Sequence, residues 1–163
     1  MKVKLIYYSH FGYTKLVSEQ ISERLKFRGF DVYESRLEIV DPLNYRDNLA
    51  VTIEVPSIEG FDLIILGTPV HDGRMSGAMR YYIEQITSFH KKKLIIVVTY
   101  LYRRGWGAVQ TIEDIRKHCE TKGAVFLAST DIQWTPVFKK WKIGQSLEKI
   151  ERSLDLYASL NKL

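Results

Sequence analysis

The sequence predicts an α/β protein with one parallel β-sheet and helices on both of its faces. Five strand-like segments recur at near-regular intervals along the 163 residues, and helical patterns separate most of them. Strands that alternate with helices in this way pair in parallel, because each helix crosses back over the sheet. The length suits one domain with a substantial core, so we expect residues 1–163 to form a single domain.

The predicted strands are short runs bounded by turn residues. They are Val3 to Tyr8, Asp31 to Ser35, Leu63 to Gly67, Leu94 to Thr99 and Ala124 to Ser129. Leu63 to Leu66 are apolar on both faces, which is typical of a strand covered from both sides. Gly67, Thr68 and Pro69 are predicted to end this strand. A polar loop then runs to Gly73.

The predicted helices rest on apolar residues that recur three or four positions apart. These positions are Val17, Ile21 and Leu25; Met79, Tyr82, Ile83 and Ile86; Val109, Ile112 and Ile115; and Leu147, Ile150, Leu154 and Tyr157. Gly29 follows the first helix, at the position where helices commonly end with a residue in the left-handed conformation. Between the second and third strands, only Asn44 to Ala50 has any helical character. Trp134 to Gly144 is predicted to be a loop before the last helix.

Composition and charge argue against several classes of protein. Hydrophobic residues at 45% and charged residues at 26% are ordinary for a globular protein. The net charge of +5 is spread along the chain, which does not favour nucleic acid as a partner. The most apolar run, Leu94 to Tyr102, is too short to span a bilayer, so we expect no membrane insertion and, by default, a cytoplasmic location. Cys119 is the only cysteine, which excludes an internal disulfide, and its expected role is helix packing.

The turn after the first strand has the chemistry of a phosphate site. Ser9 begins this turn, Gly12 permits a tight backbone, and Thr14 opens the following helix. Backbone N–H groups and hydroxyls then meet at the positive end of a helix, which suits a phosphate. The alternative is an ordinary N-cap at Thr14 with Gly12 in a turn. The chain has no GxxxxGK[ST], GxGxxG or HExxH motif, so a nucleoside triphosphate is not favoured and no metal site is predicted.

The loop Thr68 to Gly73, after the third strand, is expected at the same edge of the sheet. Ligands of parallel α/β sheets bind outside the carboxyl ends of the strands, so this loop is predicted to form one wall of a site. His71 is either a proton donor, since imidazole titrates near neutral pH, or a surface histidine hydrogen-bonded to Asp72.

The loop Thr99 to Gly107, after the fourth strand, is expected at the same edge of the sheet. The candidates to stack on a flat ring are Tyr100, Tyr102 and Trp106. Tyr102 is the first choice, and packing beneath the next helix is the alternative for these aromatics. Gly105 and Gly107 fit a turn or a close approach of the backbone to a ligand. Arginines are expected at the rim of this site, namely Arg74, Arg103 and Arg104.

The segment Gly67 to Gln85 carries a specific resemblance. It reads GTP, three variable residues and then GxMSGxMRxYIEQ, and it resembles the NAD(P)H:quinone oxidoreductases once called tryptophan-repressor-binding proteins, which are FMN enzymes of flavodoxin-like fold. The resemblance implies a flavodoxin-like three-layer sandwich with a five-stranded parallel sheet in the order 2-1-3-4-5. It also implies FMN as cofactor, NADH or NADPH as electron donor, and a quinone or similar small acceptor. No side chain is predicted to be catalytic.

The same resemblance assigns the three loops to FMN. It makes Ser9 and Thr14 the hydroxyl donors to the phosphate, with backbone amides from His10 to Tyr13 completing the cradle. The other two loops would contact the ring system, and rim arginines would favour an anionic reduced cofactor and two-electron chemistry. The predicted cofactor-binding residues are Ser9, His10, Phe11, Gly12, Tyr13, Thr14, Thr68, Pro69, Val70, His71, Asp72, Gly73, Thr99, Tyr100, Leu101, Tyr102 and Gly105.

Departures from the relatives leave the function open. Val70, His71 and Asp72 replace the threonine, arginine and phenylalanine typical of those reductases, and Phe11 replaces their usual tyrosine. The insertions through which the relatives form tetramers are absent, which leaves a monomer or a homodimer. One alternative function is an electron-carrier flavodoxin that exchanges single electrons with a partner protein. Another is a flavin-free flavodoxin-like interaction domain.

Overall fold

A computed structural model, which describes residues 1–47, 50–134 and 140–160, shows a parallel sheet with helices on both faces. The strands are β1 (Lys2–Tyr8), β2 (Asp31–Leu37), β3 (Leu63–His71), β4 (Arg74–Met75), β5 (Lys93–Tyr100) and β6 (Val125–Gln133). The helices are α1 (Tyr13–Phe27), α2 (Gly77–Gln85), α3 (Ala108–Thr121) and α4 (Lys140–Leu160). The parallel strands lie in the order β2-β1-β3-β5-β6, and β4 pairs antiparallel with β3. Apart from the short β4, this is the predicted order, and the predicted fold class is confirmed.

The central strands divide their side chains between two hydrophobic cores. Successive residues of a strand point to opposite faces, so Leu5 and Tyr7 pack on the side of α1 and α4, while Ile6 and Tyr8 pack on the side of α2 and α3. Cys119 is fully buried in the second of these cores, as predicted, and burial raises the pKa of its thiol to about 12.

Lys122 connects the end of α3 to the end of α2. Its ammonium group donates hydrogen bonds to the backbone carbonyls of Ile83 at 2.7 Å, Glu84 at 3.0 Å and Ile86 at 2.6 Å. The last carbonyls of a helix have no partner within the helix, and a cation there also interacts favourably with the helix dipole. This contact therefore ties the end of α2 to the end of α3.

Two predicted strands end four residues earlier than the observed strands, at Gly67 against His71 and at Ser129 against Gln133. β3 does not end at Gly67, because Thr68 and Pro69 still pair with β5 before the strand ends at His71. The last strand likewise extends beyond Ser129 to Gln133, in register with β5. Both extensions carry the sheet further toward the edge at which the site was predicted.

Two predicted connections also differ. Residues 140–144 belong to α4 rather than to a loop, and the fully buried Ile143 extends the apolar stripe of that helix by one turn. Residues 135–139 of the predicted loop lie outside the described residues. Instead of a degenerate helix over 44–50, a short 3₁₀ helix spans Pro42–Asn44; positions 48 and 49 are not described. None of the helices in the described ranges is long and apolar enough to cross a membrane.

Candidate functional site

A cavity of about 380 Å³ lies at the carboxyl edge of the sheet. The segments that follow β1, β3 and β5 line most of it, as predicted from the position of such loops in parallel sheets. The irregular segment after β2 and the first residue after β6 complete the lining. Ligand pockets usually measure about 300–1,000 Å³, so this cavity has room for a small molecule.

The turn between β1 and α1 offers unused hydrogen-bond donors. The hydroxyl of Ser9 is buried and has no hydrogen-bond partner among the described residues. Gly12 stands at a φ of 87° directly before α1, and no side chain in the described part of the chain caps that helix. Arg36 holds the turn in place by donating to the Ser9 carbonyl over 2.9 Å. An unpaired hydroxyl beside an uncapped helix N-terminus suits an anion.

Thr14 is less available than Ser9. Its hydroxyl hydrogen-bonds to the hydroxyl of Thr99 on β5 over 2.8 Å, and both side chains are buried. This bond ties the start of α1 to the end of β5. Both residues line the cavity.

The predicted loop after the third strand is in fact a β-hairpin. β3 and β4 are joined by Asp72 and Gly73, at positive φ values of 49° and 80°, which is the geometry of a tight two-residue hairpin turn. The buried hydroxyl of Thr68 hydrogen-bonds to the Ser76 hydroxyl over 2.9 Å, and Ser76 accepts from the Met79 amide at the start of α2. Thr68 therefore does not line the cavity and acts in the packing of the hairpin against α2.

The loop after β5 meets this hairpin at a glycine. Gly107 has a φ of 110°, and a Cβ on it would lie 2.4 Å from the backbone carbonyl of Gly73. In the third loop, Gly107 therefore makes a close backbone approach. The approach is to the backbone of Gly73, whereas a ligand was one of the predicted partners. Gly105, which was predicted to bind the cofactor, is outside the cavity lining and has open space where its Cβ would stand.

His71 faces the cavity in a fixed orientation. Its Nδ1 lies 3.1 Å from the backbone oxygen of Tyr45, and because a carbonyl only accepts, Nδ1 carries the proton. Burial lowers the pKa of His71, and the bond to the Tyr45 carbonyl offsets this only in part. The ring is therefore neutral at neutral pH and Nε2 is an acceptor, which does not fit the predicted proton donor. The hydrogen bond predicted from His71 to Asp72 is not made.

Aromatic side chains form two stacked pairs beside the cavity. His10 stacks on Tyr45 with ring centres 3.7 Å apart, and Tyr13 stacks on Trp134 with ring centres 4.0 Å apart. Tyr102, the predicted stacking residue, lines the cavity and is 72% exposed, and its ring centre lies 6.1 Å from that of Trp106, which also lines the cavity.

Sequence reasoning missed Tyr45, Arg46 and Trp134. The segment that contains Tyr45 and Arg46 has no periodic pattern that fixes its position. Trp134 could have been predicted, because it directly follows β6, and ligands of parallel sheets bind at the carboxyl ends of the strands.

The predicted rim arginines are only partly at the rim. Arg103 lines the cavity, whereas Arg74 and Arg104 do not. Arg104 instead donates from Nε to the Asp131 carboxylate over 2.9 Å, and this bond raises the pKa of its guanidinium. Arg46 supplies the other cation, with its guanidinium 5.5 Å from the centre of the Tyr45 ring.

Most of the predicted cofactor-binding residues meet at this one cavity. Those that line it are Ser9, His10, Phe11, Tyr13, Thr14, Pro69, Val70, His71, Asp72, Gly73, Thr99, Tyr100, Leu101 and Tyr102. Gly12, Thr68 and Gly105 do not. That these residues contact a cofactor stays a prediction.

Comparison with known proteins decides the family. A protein-family model described as a flavodoxin domain matches residues 4–140, which is most of the chain. The chain belongs to the flavodoxin family. As a flavodoxin-family protein, it has its three loops at the carboxyl edge of a sheet with the family's topology.

A relative and two solved structures illustrate the range of similar proteins. A protein of Methylocella silvestris named NAD(P)H dehydrogenase (quinone) is 31% identical over 91 residues, or 52% of this chain and 46% of that protein, so the chain spans less than half of this relative's length. Oxidised flavodoxin 1 of Bacillus cereus superposes with a TM-score of 0.69 at 15% identity, covering 95% of this chain and 98% of the other. A Lactobacillus acidophilus flavoprotein, crystallised in complex with FMN, gives 0.61 at 16% identity over 80% of this chain and 92% of the other.

Proposed function

We propose that the chain binds FMN in this cavity and acts as an oxidoreductase that passes electrons from NADH or NADPH to a quinone or similar small acceptor. The observation that carries the proposal is the buried Ser9 hydroxyl, which has no partner in the described structure and lies beside the uncapped N-terminus of α1. Leaving a buried hydroxyl unpaired is costly, so such a group indicates a missing partner. A phosphate supplies acceptor oxygens for both the hydroxyl and the helix N–H groups.

Residues on several sides of the cavity have chemistry that would suit FMN. Ser9 and the backbone amides of residues 10–14 would hold the phosphate, and Tyr102 offers an exposed aromatic face to the ring system. His71 would accept a hydrogen bond at Nε2, since its Nδ1 proton is committed to Tyr45. When bound, FMN supplies the redox chemistry, while these side chains bind and orient it. Arg46 and Arg103 at the cavity would favour negative charge there.

Two functions fit this site, and a separate observation supports each. The quinone dehydrogenase of Methylocella silvestris supports the reductase, although only over part of that protein. The near-complete overlap with the flavodoxin of Bacillus cereus supports an electron carrier, which has no need of a substrate site of its own. A homodimer and a cytoplasmic location stay predictions, and light scattering on the purified chain would test the first.

Rapid mixing distinguishes the reductase from the carrier. Protein loaded with FMN is mixed with NADH or NADPH in a stopped-flow instrument, and the visible absorbance of the flavin is followed. A reductase loses this absorbance rapidly with at least one nucleotide and regains it when a quinone is added. Reduction by dithionite but by neither nucleotide would reject the reductase and leave the carrier. Failure to load FMN at all would reject both and leave the flavin-free interaction domain.

A substitution links this result to the Ser9 hydroxyl. Ser9→Ala is expected to weaken FMN binding about tenfold, since a hydrogen bond to a charged group contributes about 1.5–3 kcal/mol. Ser18→Ala is the matched control. Ser18, which lies in α1, is as buried as Ser9 but does not line the cavity. Equal FMN affinity in the two variants would remove the support that Ser9 gives to the proposal.

A further inference from the structure

A short antiparallel ribbon lies in the irregular segment between β2 and β3. The residues that its backbone hydrogen bonds pair are Ile39 with Thr52, Val40 with Val51 and Glu38 with Ile53. Successive residues of a strand point to opposite faces, and directly paired residues share a face. Ile39 and Thr52 therefore lie on one face of the ribbon. Val40, Val51 and Ile53 lie on the other.

The polarity of this ribbon is the reverse of the usual one. Where one face of an antiparallel pair covers a core, apolar side chains point inward and polar ones point to water. Here Thr52 is on the inner face, is 4% exposed, and its hydroxyl has no hydrogen-bond partner among the residues that the structure describes. On the outer face, Val40, Val51 and Ile53 are all exposed. Three β-branched aliphatic side chains thus meet solvent on one surface.

The apolar surface continues at both ends of the ribbon. Val55 follows Ile53 by two positions and is exposed, and Leu43, in the 3₁₀ helix three residues after Val40, is 89% exposed. We call these five side chains the ribbon surface: Val40, Leu43, Val51, Ile53 and Val55. Single exposed aliphatic residues are common, whereas a group of them is typical of an interaction site. None of the five lines the cavity at the carboxyl edge of the sheet, so the ribbon surface is separate from it.

The charged residues of the ribbon surface are all acidic. Within 38–43 and 50–59 they are Glu38, Asp41, Glu54 and Glu59. None of these carboxylates forms an ion pair with another residue in the described ranges. The nearest cations in the sequence are engaged elsewhere, since Arg36 donates to the Ser9 carbonyl and Arg46 lines the cavity. The chain as a whole carries a charge of +5, so this acidic surface has the opposite sign.

We propose that the ribbon surface binds a segment of another protein that combines an aliphatic face with lysine or arginine residues. The aliphatic side chains supply apolar area to bury, and the carboxylates beside them select a cationic partner. A second copy of this chain is a poorer partner, because a two-fold contact would bring each carboxylate close to those of the other copy. Anionic lipid headgroups are disfavoured by the same repulsion. The proposal does not depend on FMN, since the two surfaces share no residue.

The test uses the full-length protein, with FMN present, and a synthetic amphipathic helix that has leucine on one face and lysine on the other. Calorimetry measures the affinity, and amide chemical shifts locate the contact. We expect saturable binding, with shifts at residues 38–43 and 51–55. The same helix with glutamate in place of lysine should bind at least about tenfold more weakly, because the carboxylates of the ribbon surface repel it.

Matched variants separate the ribbon surface from other exposed aliphatic residues. Ile53→Ser should weaken binding of the lysine helix about tenfold, because it removes an aliphatic side chain from the contact. Ile53→Thr keeps the β-branching that suits a strand and should weaken binding about threefold. Leu156→Ser is the control, since Leu156 is 62% exposed, against 60% for Ile53, but lies on α4. An equal loss in Ile53→Ser and Leu156→Ser would overturn the proposal.

Salt dependence and the other possible occupants complete the test. Affinity for the lysine helix should fall as ionic strength rises, and it should fall less steeply when Glu38→Gln and Glu54→Gln are combined. Equal affinity for the lysine and glutamate helices, or no saturable binding of the lysine helix, would contradict the proposal. A homodimer that Ile53→Ser dissociates in sedimentation experiments would show that a second copy occupies the surface instead. Binding to phosphatidylcholine vesicles that Ile53→Ser abolishes would assign the surface to a membrane and would equally overturn it.

Discussion

Gly107→Ala tests how the two walls of the cavity are held together. In the structure, a Cβ at Gly107 would lie 2.4 Å from the carbonyl of Gly73, and the φ of 110° is unfavourable for any residue with a side chain. The backbone strain costs about 1–3 kcal/mol, and forcing an extra methyl group into a packed contact costs a further ~1–3 kcal/mol. We therefore expect the free energy of unfolding to fall by about 2–6 kcal/mol.

Gly105→Ala is the matched control, two residues away in the same loop. A Cβ there meets nothing within 4 Å, so we expect a change in unfolding free energy below about 0.5 kcal/mol. Urea unfolding followed by far-UV circular dichroism measures both variants. FMN affinity should fall in Gly107→Ala alone, because the third loop and the hairpin must move apart. Equal stability of the two variants would refute the argument that this glycine contact fixes the cavity.

Other substitutions test the remaining parts of the structure. Lys122→Met should lower the unfolding free energy by about 1.5–3 kcal/mol in urea denaturation, since three carbonyls at the end of α2 lose a charged donor. Lys117→Met on α3, the helix that Lys122 follows, should change it little, and an equal loss would contradict the role of Lys122 at the end of α2. The pKa of His71 is lowered in the folded state, so stability is lost as pH falls below the unfolded value of about 6.5. In His71→Asn, where the amide retains a donor for the Tyr45 carbonyl, thermal melts should show a smaller loss between about pH 7 and pH 5; an unchanged slope would reject this assignment. Tyr102→Ala should weaken FMN binding about three- to tenfold in a fluorescence titration without a change in melting temperature, and unaltered affinity would exclude it as the stacking residue.

The sheet and the edge of the site were predictable because their signals are local. Strand and helix periodicity located the elements, and the rule that ligands bind at the carboxyl ends of parallel strands placed the loops after β1, β3 and β5 around one cavity. The sequence also allows the apolar face of α4 to be extended toward the N-terminus, because Ile143 precedes Leu147 by four residues. The lysines that precede Ile143 give this segment the polar composition of a loop, so the helix was predicted to begin too late.

The errors have a common physical cause, which is that they depend on contacts between distant parts of the chain. Thr68 and Pro69 have the composition of a strand end, yet pairing with β5 keeps them in the sheet. The backbone oxygen of Tyr45 hydrogen-bonds to the ring of His71, 26 residues further along the chain, and no local pattern predicts that contact. Arg104 pairs with Asp131, a residue of β6 that is distant in sequence, and no local pattern predicts that ion pair.

A comparison of FMN with riboflavin tests the central claim most directly. The purified chain is titrated with each compound, and quenching of flavin fluorescence reports binding. The unpaired Ser9 hydroxyl and the uncapped start of α1 predict saturable one-to-one binding of FMN, with riboflavin at least about a hundredfold weaker because it lacks the phosphate. Equal affinity for the two compounds, or no saturable binding of FMN, would contradict the account.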